Sequence, residues 1–267
     1  MGTGALSCVD KGDYQLKIIG VVSALRSEAK CLADQRFPLY QVVEIGTRTS
    51  LCLSSIGYSA ARGAALKLCD HGVNALVSFG VAAAVDNNLI PGDLVLPEAI
   101  IKDDEILPVD LEWRNRLEGI MSKHLTVAGG IITACDAPLT TRQQKLALGE
   151  ATGACAADME SAAVAKVAAD AGISFLAIRA IIDPLEFSPP EALMDAVYPD
   201  GSADIMQLIK LVMNGAIPIK TLIHLAMAMH VARAALIEVV QKTGLSFASD
   251  YVPYQHVEES RDQSSID

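Results

Sequence analysis

Short apolar runs alternate with amphipathic segments along the first two thirds of the chain. The run LKIIGVV at 16–22 is rich in β-branched residues, which is typical of a buried strand. Two runs that meet at Gly46–Thr47 predict a β-hairpin. The same reasoning predicts further strands at 75–80, after the Pro-Gly turn at 91–92, at 125–134 and at 173–183.

Helical spacing separates these strands. Residues 58–72 end on a glycine, which favours a helix C-terminus, and Thr140 or Thr141 can cap a helix over 142–152. The stretch AADMESAAVAKVA places Asp158 and Glu160 at the start of a small-residue helix that ends at Gly172. Other helices are predicted from about residue 27, at 110–122, at 203–213 and at 219–242.

Strands alternating with helices predict an α/β fold with a mixed or parallel central sheet. After residue 200 only helical patterns occur, and the polar tail from about 248 to 267 is predicted to be disordered. The absence of repeats and low-complexity linkers favours one domain over 1–267, with a core at about 16–242.

The composition excludes several classes of protein. Of the 267 residues, 51% are hydrophobic and 20% are charged, which is a globular composition. The formal net charge of -11 argues against nucleic-acid binding and against simple electrostatic docking on anionic lipid. Neither a basic region nor an apolar core opens the sequence, so we expect no secretory signal, and the nearest approach to a membrane-spanning run, at 221–232, is too short to span a bilayer. We therefore expect a cytoplasmic protein with reduced cysteines and no metal site.

Acidic residues recur where predicted strands end, and ligands of α/β sheets bind beyond the carboxyl ends of strands. Several carboxylates in one cleft suit cleavage of a glycosidic bond, which needs a general acid, an activated nucleophile and negative charge near an oxocarbenium-like sugar. Each acid also has a structural interpretation. Glu28 and Glu160 could be first-turn helix acids, Asp136 a loop acid and Asp183 a turn residue before Pro184.

Five motifs carry a family resemblance over residues 16–185. They are IIGVVSALRSEA, SSIGYSAA, ALVSFGVAAAV with IPGDLVLPEAI, ADMESAAVAKVA and FLAIRAIIDP. Their order and spacing resemble those of the purine nucleoside phosphorylase and nucleosidase superfamily. The resemblance implies a three-layer α/β/α fold with a central mixed sheet. It is strongest to nucleosidases that cleave methylthioadenosine and S-adenosylhomocysteine.

The segment RAIIDPLEFSPPEALMDAVYPDG and the apolar helices after it resemble the hopanoid-associated phosphorylases. This narrower resemblance implies removal of adenine from adenosylhopane, a lipid-linked small-molecule substrate. An apolar C-terminal half suits such a substrate, and four methionines could give it a soft lining. The same helices could instead cover the sheet or form the interface of an expected homo-oligomer. The methionines are Met206, Met213, Met227 and Met229.

The resemblance assigns roles to matching residues. Glu28 matches the glutamate that activates the attacking water, and Asp183 matches the aspartate that protonates the purine at N7. Glu160 matches the glutamate that holds the ribose hydroxyls, and Met159 matches the methionine that packs on the sugar. Gly80, Val81 and Asp136 complete the predicted substrate-binding set.

Two positions depart from the nucleosidase pattern. Val81 and Ile182 stand where those enzymes have serines, and no arginine occurs in the strand at 75–79. Hydrolysis is slightly favoured, but phosphorolysis with phosphate as co-substrate stays open, with Arg26, Arg48 and Arg62 as candidate phosphate ligands. No other cofactor is expected. The alternatives are a methylthioadenosine/S-adenosylhomocysteine nucleosidase, another purine nucleoside phosphorylase, or a nucleoside-binding protein without activity.

Overall fold

The computed structural model describes residues 17–188, 190–196, 198 and 205–249. Most of the tail that is predicted to be disordered lies outside these residues. Eleven strands occur in the described part: β1 Ile19–Ser23, β2 Val42–Gly46, β3 Thr49–Leu53, β4 Ala75–Ala84, β5 Leu94–Val95, β6 Ala99–Lys102, β7 Glu105–Pro108, β8 Val127–Ala128, β9 Ile131–Ala134, β10 Ala156–Asp158 and β11 Ser174–Asp183.

Within the described residues, seven α-helices accompany the strands, and a 3₁₀ turn at Glu191–Ala196 follows β11. The helices are α1 Arg26–Leu32, α2 Tyr58–Asp70, α3 Leu111–Met121, α4 Arg142–Thr152, α5 Ser161–Ala171, α6 Ile205–Met213 and α7 Ile219–Thr243.

The strands form one mixed sheet. β1 lies parallel to β3 on one side and to β4 on the other, and β11 runs parallel to β4. β10 pairs antiparallel with the end of β4 and parallel with β9, which also pairs with β6. The predicted α/β fold with a central mixed sheet flanked by helices is confirmed. This topology places the carboxyl ends of β1, β10 and β11 near one another.

β4 is longer than the sequence predicts. The expected strand ended at Gly80, with a small-residue loop after it, but β4 continues to Ala84. Alanines are poor strand formers on their own, which makes this end hard to recognise. Pairing with β11 and β10 on its two sides overrides that preference, because the small residues allow both neighbours to approach.

Two groups of helices flank the sheet. α2 packs against α5, and its buried residues Ala61, Ala64, Ala65 and Leu68 follow the helical spacing that the sequence shows. The second group consists of α1, α3 and α7, with α7 lying along β11. Small side chains on α2 and α5 let these helices lie close to each other and to the sheet.

Helix ends agree with the sequence signals at several points. The Thr141 hydroxyl accepts the Gln144 backbone N–H at 3.2 Å and the Gln144 side chain accepts the Thr141 N–H at 3.1 Å, forming a capping box at the start of α4. Gly172 ends α5 in a left-handed conformation. The start of α5 differs from the prediction, because residues 156–158 form β10 and the helix begins only at Ser161.

The C-terminal helices divide into two parts. Leu193, Ala196, Leu211 and Ile217 form a small apolar cluster, separate from the main core, to which Leu225 of α7 adds. The second half of α7 packs in the main core through residues such as Leu236. The sequence predicts no membrane-spanning segment, because the uncharged run at 221–232 is too short. By length and composition alone, however, the helical stretch Ile219–Ser246 could cross a membrane.

Candidate active site

A cavity of ≈ 280 Å³ opens at the carboxyl ends of the central strands. Its lining is mostly apolar and includes four carboxylates that come from α1, β10, β11 and the residue before α5. Among the lining residues are Glu28, Val81, Asp158, Met159, Glu160, Ile182 and Asp183 on the sheet side, and Leu139, Phe187, Leu193 and Leu225 opposite them. The site residues predicted at 28, 81, 159, 160 and 183 are thus brought together.

Glu28 lines the cavity and accepts several hydrogen bonds. One carboxylate oxygen accepts hydrogen bonds from the Ser23 hydroxyl at 3.1 Å and from the Leu25 backbone N–H at 2.9 Å. The other accepts the Val81 N–H at 2.9 Å. The bond from Leu25 also makes Glu28 a first-turn helix acid, as its structural interpretation predicts. Burial raises the pKa of Glu28, and the Arg179 guanidinium opposes that shift.

Glu160 points away from the helix that it precedes. Its Oε1 accepts the Gly57 backbone N–H, just before α2, at 2.8 Å. Burial raises the pKa of Glu160 to about 7, and the Arg179 guanidinium opposes that shift while Asp158 adds to it.

Asp158 performs the structural role that the sequence suggested for Glu160. Its Oδ1 accepts the backbone N–H groups of Glu160 at 3.2 Å and Ser161 at 3.1 Å, and thereby caps α5. Its Oδ2 accepts the Arg179 Nε–H at 2.7 Å and the Ser161 hydroxyl. Asp158 is 5% exposed and is occupied by these partners.

Arg179 of β11 is the central cation and was missed by sequence reasoning. It is 1% exposed, and its Nη2 donates to the hydroxyls of Ser78 at 2.7 Å and Ser161 at 3.0 Å. A signal existed, since an arginine within the apolar run FLAIRAII must be paired if the strand is buried. Arg179 lies behind the acids and does not line the cavity.

Asp183 ends β11 and faces the cavity beside a buried lysine. Lys145 Nζ donates to Asp183 Oδ1 at 2.5 Å, to the Pro184 carbonyl at 2.9 Å and to the Phe187 carbonyl at 2.7 Å. Burial raises the pKa of Asp183, and the Lys145 ammonium opposes that shift. A carboxyl whose neutral form is favoured by burial can serve as a proton donor.

Lys145 was also missed, and its local sequence gives no warning. It lies in RQQKLALGE, which is typical of a solvent-facing helix, yet its side chain is 0% exposed. The three bonds of its ammonium fix the chain from 183 to 187, at the point where that chain leaves the sheet.

Gly80 contributes by its lack of a side chain. It lies within β4 and not in a loop, and it does not line the cavity. A β-carbon at this position would lie 2.4 Å from both Arg179 Nη1 and Glu28 Oε1. Gly80 therefore makes space for the buried acid and its cation, and it does not lie in the lining where the predicted substrate-binding set would place it.

Asp136 does not join the other site residues. Its side chain is 77% exposed and pairs with Lys102 at 2.7 Å, in the manner of a loop acid. The candidate phosphate ligands Arg26, Arg48 and Arg62 do not line the cavity either. Met206, Met213 and Met227 are exposed on α6 and α7, so they do not form the soft lining that the sequence suggested.

The described residues offer no group of three or more side chains that could hold a metal ion. The chemistry that this arrangement supports is acid–base: a proton donor at Asp183, a buried carboxylate at Glu28 that can accept a proton, and a third acid at Glu160.

A family model described as the phosphorylase superfamily matches residues 19–213. Similar solved structures include a 5'-methylthioadenosine/S-adenosylhomocysteine nucleosidase from Helicobacter pylori, at 17% identity and TM-score 0.60, covering 85% of this chain and 98% of that one. An S-adenosylhomocysteine nucleosidase from Streptococcus pyogenes has 18% identity and TM-score 0.57, with coverage of 82% and 98%. Futalosine hydrolase of Helicobacter pylori has 16% identity and TM-score 0.56, with coverage of 79% and 96%. At these identities the structures share the fold.

Proposed function

The chain belongs to the phosphorylase superfamily and is a nucleoside-cleaving enzyme, and from this premise we propose that it hydrolyses the N-glycosidic bond of an adenosyl compound with a hopanoid 5′ substituent. Adenosylhopane is the substrate that the C-terminal motif suggests. The observation that carries the proposal is the meeting of Glu28, Glu160 and Asp183 around one cavity whose lining is mostly apolar.

The reaction divides among these three acids. Asp183 donates its proton to N7 of adenine as the bond from C1′ breaks and its electron pair passes to the purine. Water adds to C1′ and gives a proton to Glu28, so that adenine and a ribosyl product leave. Glu160 accepts hydrogen bonds from the ribose hydroxyls, and the charge of the ionised acids stabilises the oxocarbenium-like transition state.

Water suits this cavity better than phosphate as the nucleophile. No arginine or lysine occurs among the described residues that line it, and the nearest buried guanidinium, Arg179, already pairs with Asp158. A phosphate dianion next to Glu28 would meet like charge without a lining cation. The hydrolysis of adenosyl compounds is therefore favoured over their phosphorolysis.

The apolar side of the cavity supports a lipid-bearing substrate. Leu193 and Leu225 face the carboxylates from the C-terminal part of the chain. A volume of ≈ 280 Å³ is at the lower end for small-molecule sites, so it suits the nucleoside part alone. The lipid would extend outward past these leucines.

The test is chromatography of products after the purified protein is incubated with adenosylhopane, in phosphate buffer and in phosphate-free buffer. We expect adenine and ribosylhopane in both buffers, at equal rates. A rate that requires phosphate would overturn hydrolysis, and absence of adenine in both buffers would overturn the activity on this lipid.

A second candidate is a nucleosidase for methylthioadenosine or S-adenosylhomocysteine. The cavity volume favours methylthioadenosine, because its methylthio group adds little to the volume of the nucleoside. Parallel assays on methylthioadenosine and adenosylhopane separate the two candidates by the ratio of kcat/KM.

A further inference from the structure

Seven large apolar side chains of α6 and α7 are exposed to solvent in the described chain. Val231 adjoins Gly92, and the other six have exposed fractions between 48% and 83%. We call these six the outer apolar face: Met206, Ile209, Met213, Ile219, Ile223 and Met227.

The outer apolar face follows from helical spacing. Residues 219, 223 and 227 recur every four positions along one side of α7, and 206, 209 and 213 recur every three or four along α6. The inward residues of both helices, such as Leu211 and Leu225, share one small cluster with the 3₁₀ turn. The exposed residues therefore point away from that cluster, and nothing in the described chain covers them.

Charge around the face differs in sign from the charge of the whole chain. The chain carries a formal net charge of -11, but 205–237 contains no aspartate or glutamate. Its charged residues are Lys210, Lys220 and Arg233, and both lysines are exposed on the same helices as the apolar residues. An apolar surface bordered by cations is complementary to an anionic lipid surface.

We infer that the outer apolar face is a docking surface for an anionic lipid bilayer. Ile223 and Met227 enter the region between headgroups and acyl chains, while the stems of Lys210 and Lys220 let their ammonium groups reach the lipid phosphates. The global negative charge opposes purely electrostatic binding, so the apolar contacts supply most of the affinity and the lysines set the preference for anionic lipid.

The chain docks on the bilayer and does not cross it through α7. Ala232, Ala235, Leu236 and Val239 are between 0% and 3% exposed within the main core, where α7 lies along β11. A spanning α7 would have to leave that core. Only the first half of the helix is free to contact lipid, and half a helix of this length is too short to span a bilayer.

A second copy of the chain fits the face less well than lipid does. A two-fold symmetric contact would bring the same surface together from both copies. Lys210 and Lys220 of one copy would then be buried against the same surface of the other copy. That surface has no acid in 205–237 to pair with them. Lipid phosphates provide the missing counter-charge.

The docking surface also lies next to the proposed active site. Leu193 and Leu225 belong both to the small cluster beneath the face and to the cavity lining. Docking would thus hold the cavity beside the bilayer, where a lipid-anchored adenosyl substrate could enter. This last step rests on the proposed function, whereas the docking itself does not.

The experiment is vesicle co-sedimentation of the full chain without substrate, on phosphatidylglycerol/phosphatidylcholine vesicles and on pure phosphatidylcholine vesicles. We expect binding to the anionic vesicles and at least several-fold weaker binding to the neutral ones. The variant Ile223→Ser/Met227→Ser should lose at least tenfold in partitioning, and Lys210→Gln/Lys220→Gln should lose most of the anionic preference. The matched control is Ile106→Ser on β7, where the isoleucine is 67% exposed far from α6 and α7 in sequence, and it should bind as the wild type does.

Two further measurements distinguish loss of docking from loss of folding or of activity. Circular dichroism checks that each variant is folded, and turnover of whichever adenosyl compound the wild type cleaves checks that the cavity works, because none of the changed residues lines it. Failure of the wild type to bind vesicles, equal losses in the Ile106 control, or conversion of a dimer to a monomer by Ile223→Ser/Met227→Ser without any lipid binding would overturn docking. Vesicle binding without adenine release would overturn the proposed function alone.

Discussion

Two acid–cation pairs lie next to the same cavity and have different surroundings. Asp158 and Arg179 are both buried, at 2.7 Å, and their remaining polar atoms are engaged by serine hydroxyls and backbone N–H groups. Asp183 and Lys145 lie 2.5 Å apart, but Asp183 keeps 17% of its side chain exposed at the cavity. The first pair is closed and holds the sheet edge together, whereas the second presents one acid to a ligand.

The difference separates structural from reactive carboxylates by their environment and not by their type. Both aspartates end a strand of the same sheet. The Asp158 carboxylate is surrounded by hydrogen-bond donors, whereas burial raises the pKa of Asp183 despite the neighbouring Lys145 ammonium.

The largest effect is expected for Asp183→Asn. Loss of the proton donor should lower kcat for adenine release by about 10²–10⁴-fold, while the affinity for an adenosine analogue changes little. Stopped assays of adenine release and calorimetric binding measure the two quantities. Asp136→Asn is the matched control on the exposed loop acid and should keep wild-type rates. Equal losses in both variants would contradict the assignment.

Arg179→Met should act on stability. It leaves Asp158 buried without its cation, and breaking a buried pair in this way costs about 3–5 kcal/mol of unfolding free energy. Urea denaturation measures the change. The exposed pair of Glu112 and Arg116 offers a control, because Glu112→Gln should cost less than about 1 kcal/mol.

If Arg179→Met does not fold, the double variant Asp158→Leu/Arg179→Met decides the question. It should recover part of the stability, since neither partner is then left as an uncompensated charge. A double variant less stable than Arg179→Met would argue that the pair is not what holds this edge.

Glu160 should make stability depend on pH. Its pKa is raised from 4.5 to about 7 in the native protein, so between these values the folded chain holds a proton that the unfolded chain has released. This contribution is present in full below pH 4.5 and is lost as the pH rises toward 7. The stability of the wild type relative to Glu160→Gln should therefore fall by up to about 3 kcal/mol across that window.

Denaturation of both variants at several pH values measures this difference. A constant difference from pH 4.5 to pH 7 would show that Glu160 is not protonated in the native cavity.

Lys145→Met should change the shape of the pH profile more than the fold. The lysine lowers the pKa of Asp183, so its removal raises that pKa further and keeps the acid protonated at higher pH. The alkaline limb of kcat against pH should move upward, even if the rate itself falls because residues 183–187 lose their anchor. A purely structural lysine would lower the rate equally at every pH.

Much of the fold follows from local signals, because caps and strand patterns act over a few residues. Thr141 and Gly172 mark helix ends by their own chemistry. The extension of β4 and the existence of β10 depend on strands that are distant in sequence, so no local pattern indicates them.

The site was predictable where a residue belongs to a motif, and not where its role depends on a distant partner. Glu28, Glu160 and Asp183 occur in recognisable stretches, and the structure places them around one cavity. Lys145 gains its role only because the chain after β11 returns to α4. Asp136 illustrates the opposite error, since a strand end puts an acid near the correct edge of the sheet without aiming its side chain at the cavity.

The central claim is that Glu28, Glu160 and Asp183 converge on one bound nucleoside. The most direct test is a crystal structure with a non-cleavable adenosine analogue. We predict an Asp183 oxygen within hydrogen-bonding distance of the base at position 7, about 2.6–3.2 Å. Glu160 should contact the ribose hydroxyls, and a water should lie between Glu28 and C1′. An analogue bound with its base away from Asp183, or bound outside this cavity, would contradict it.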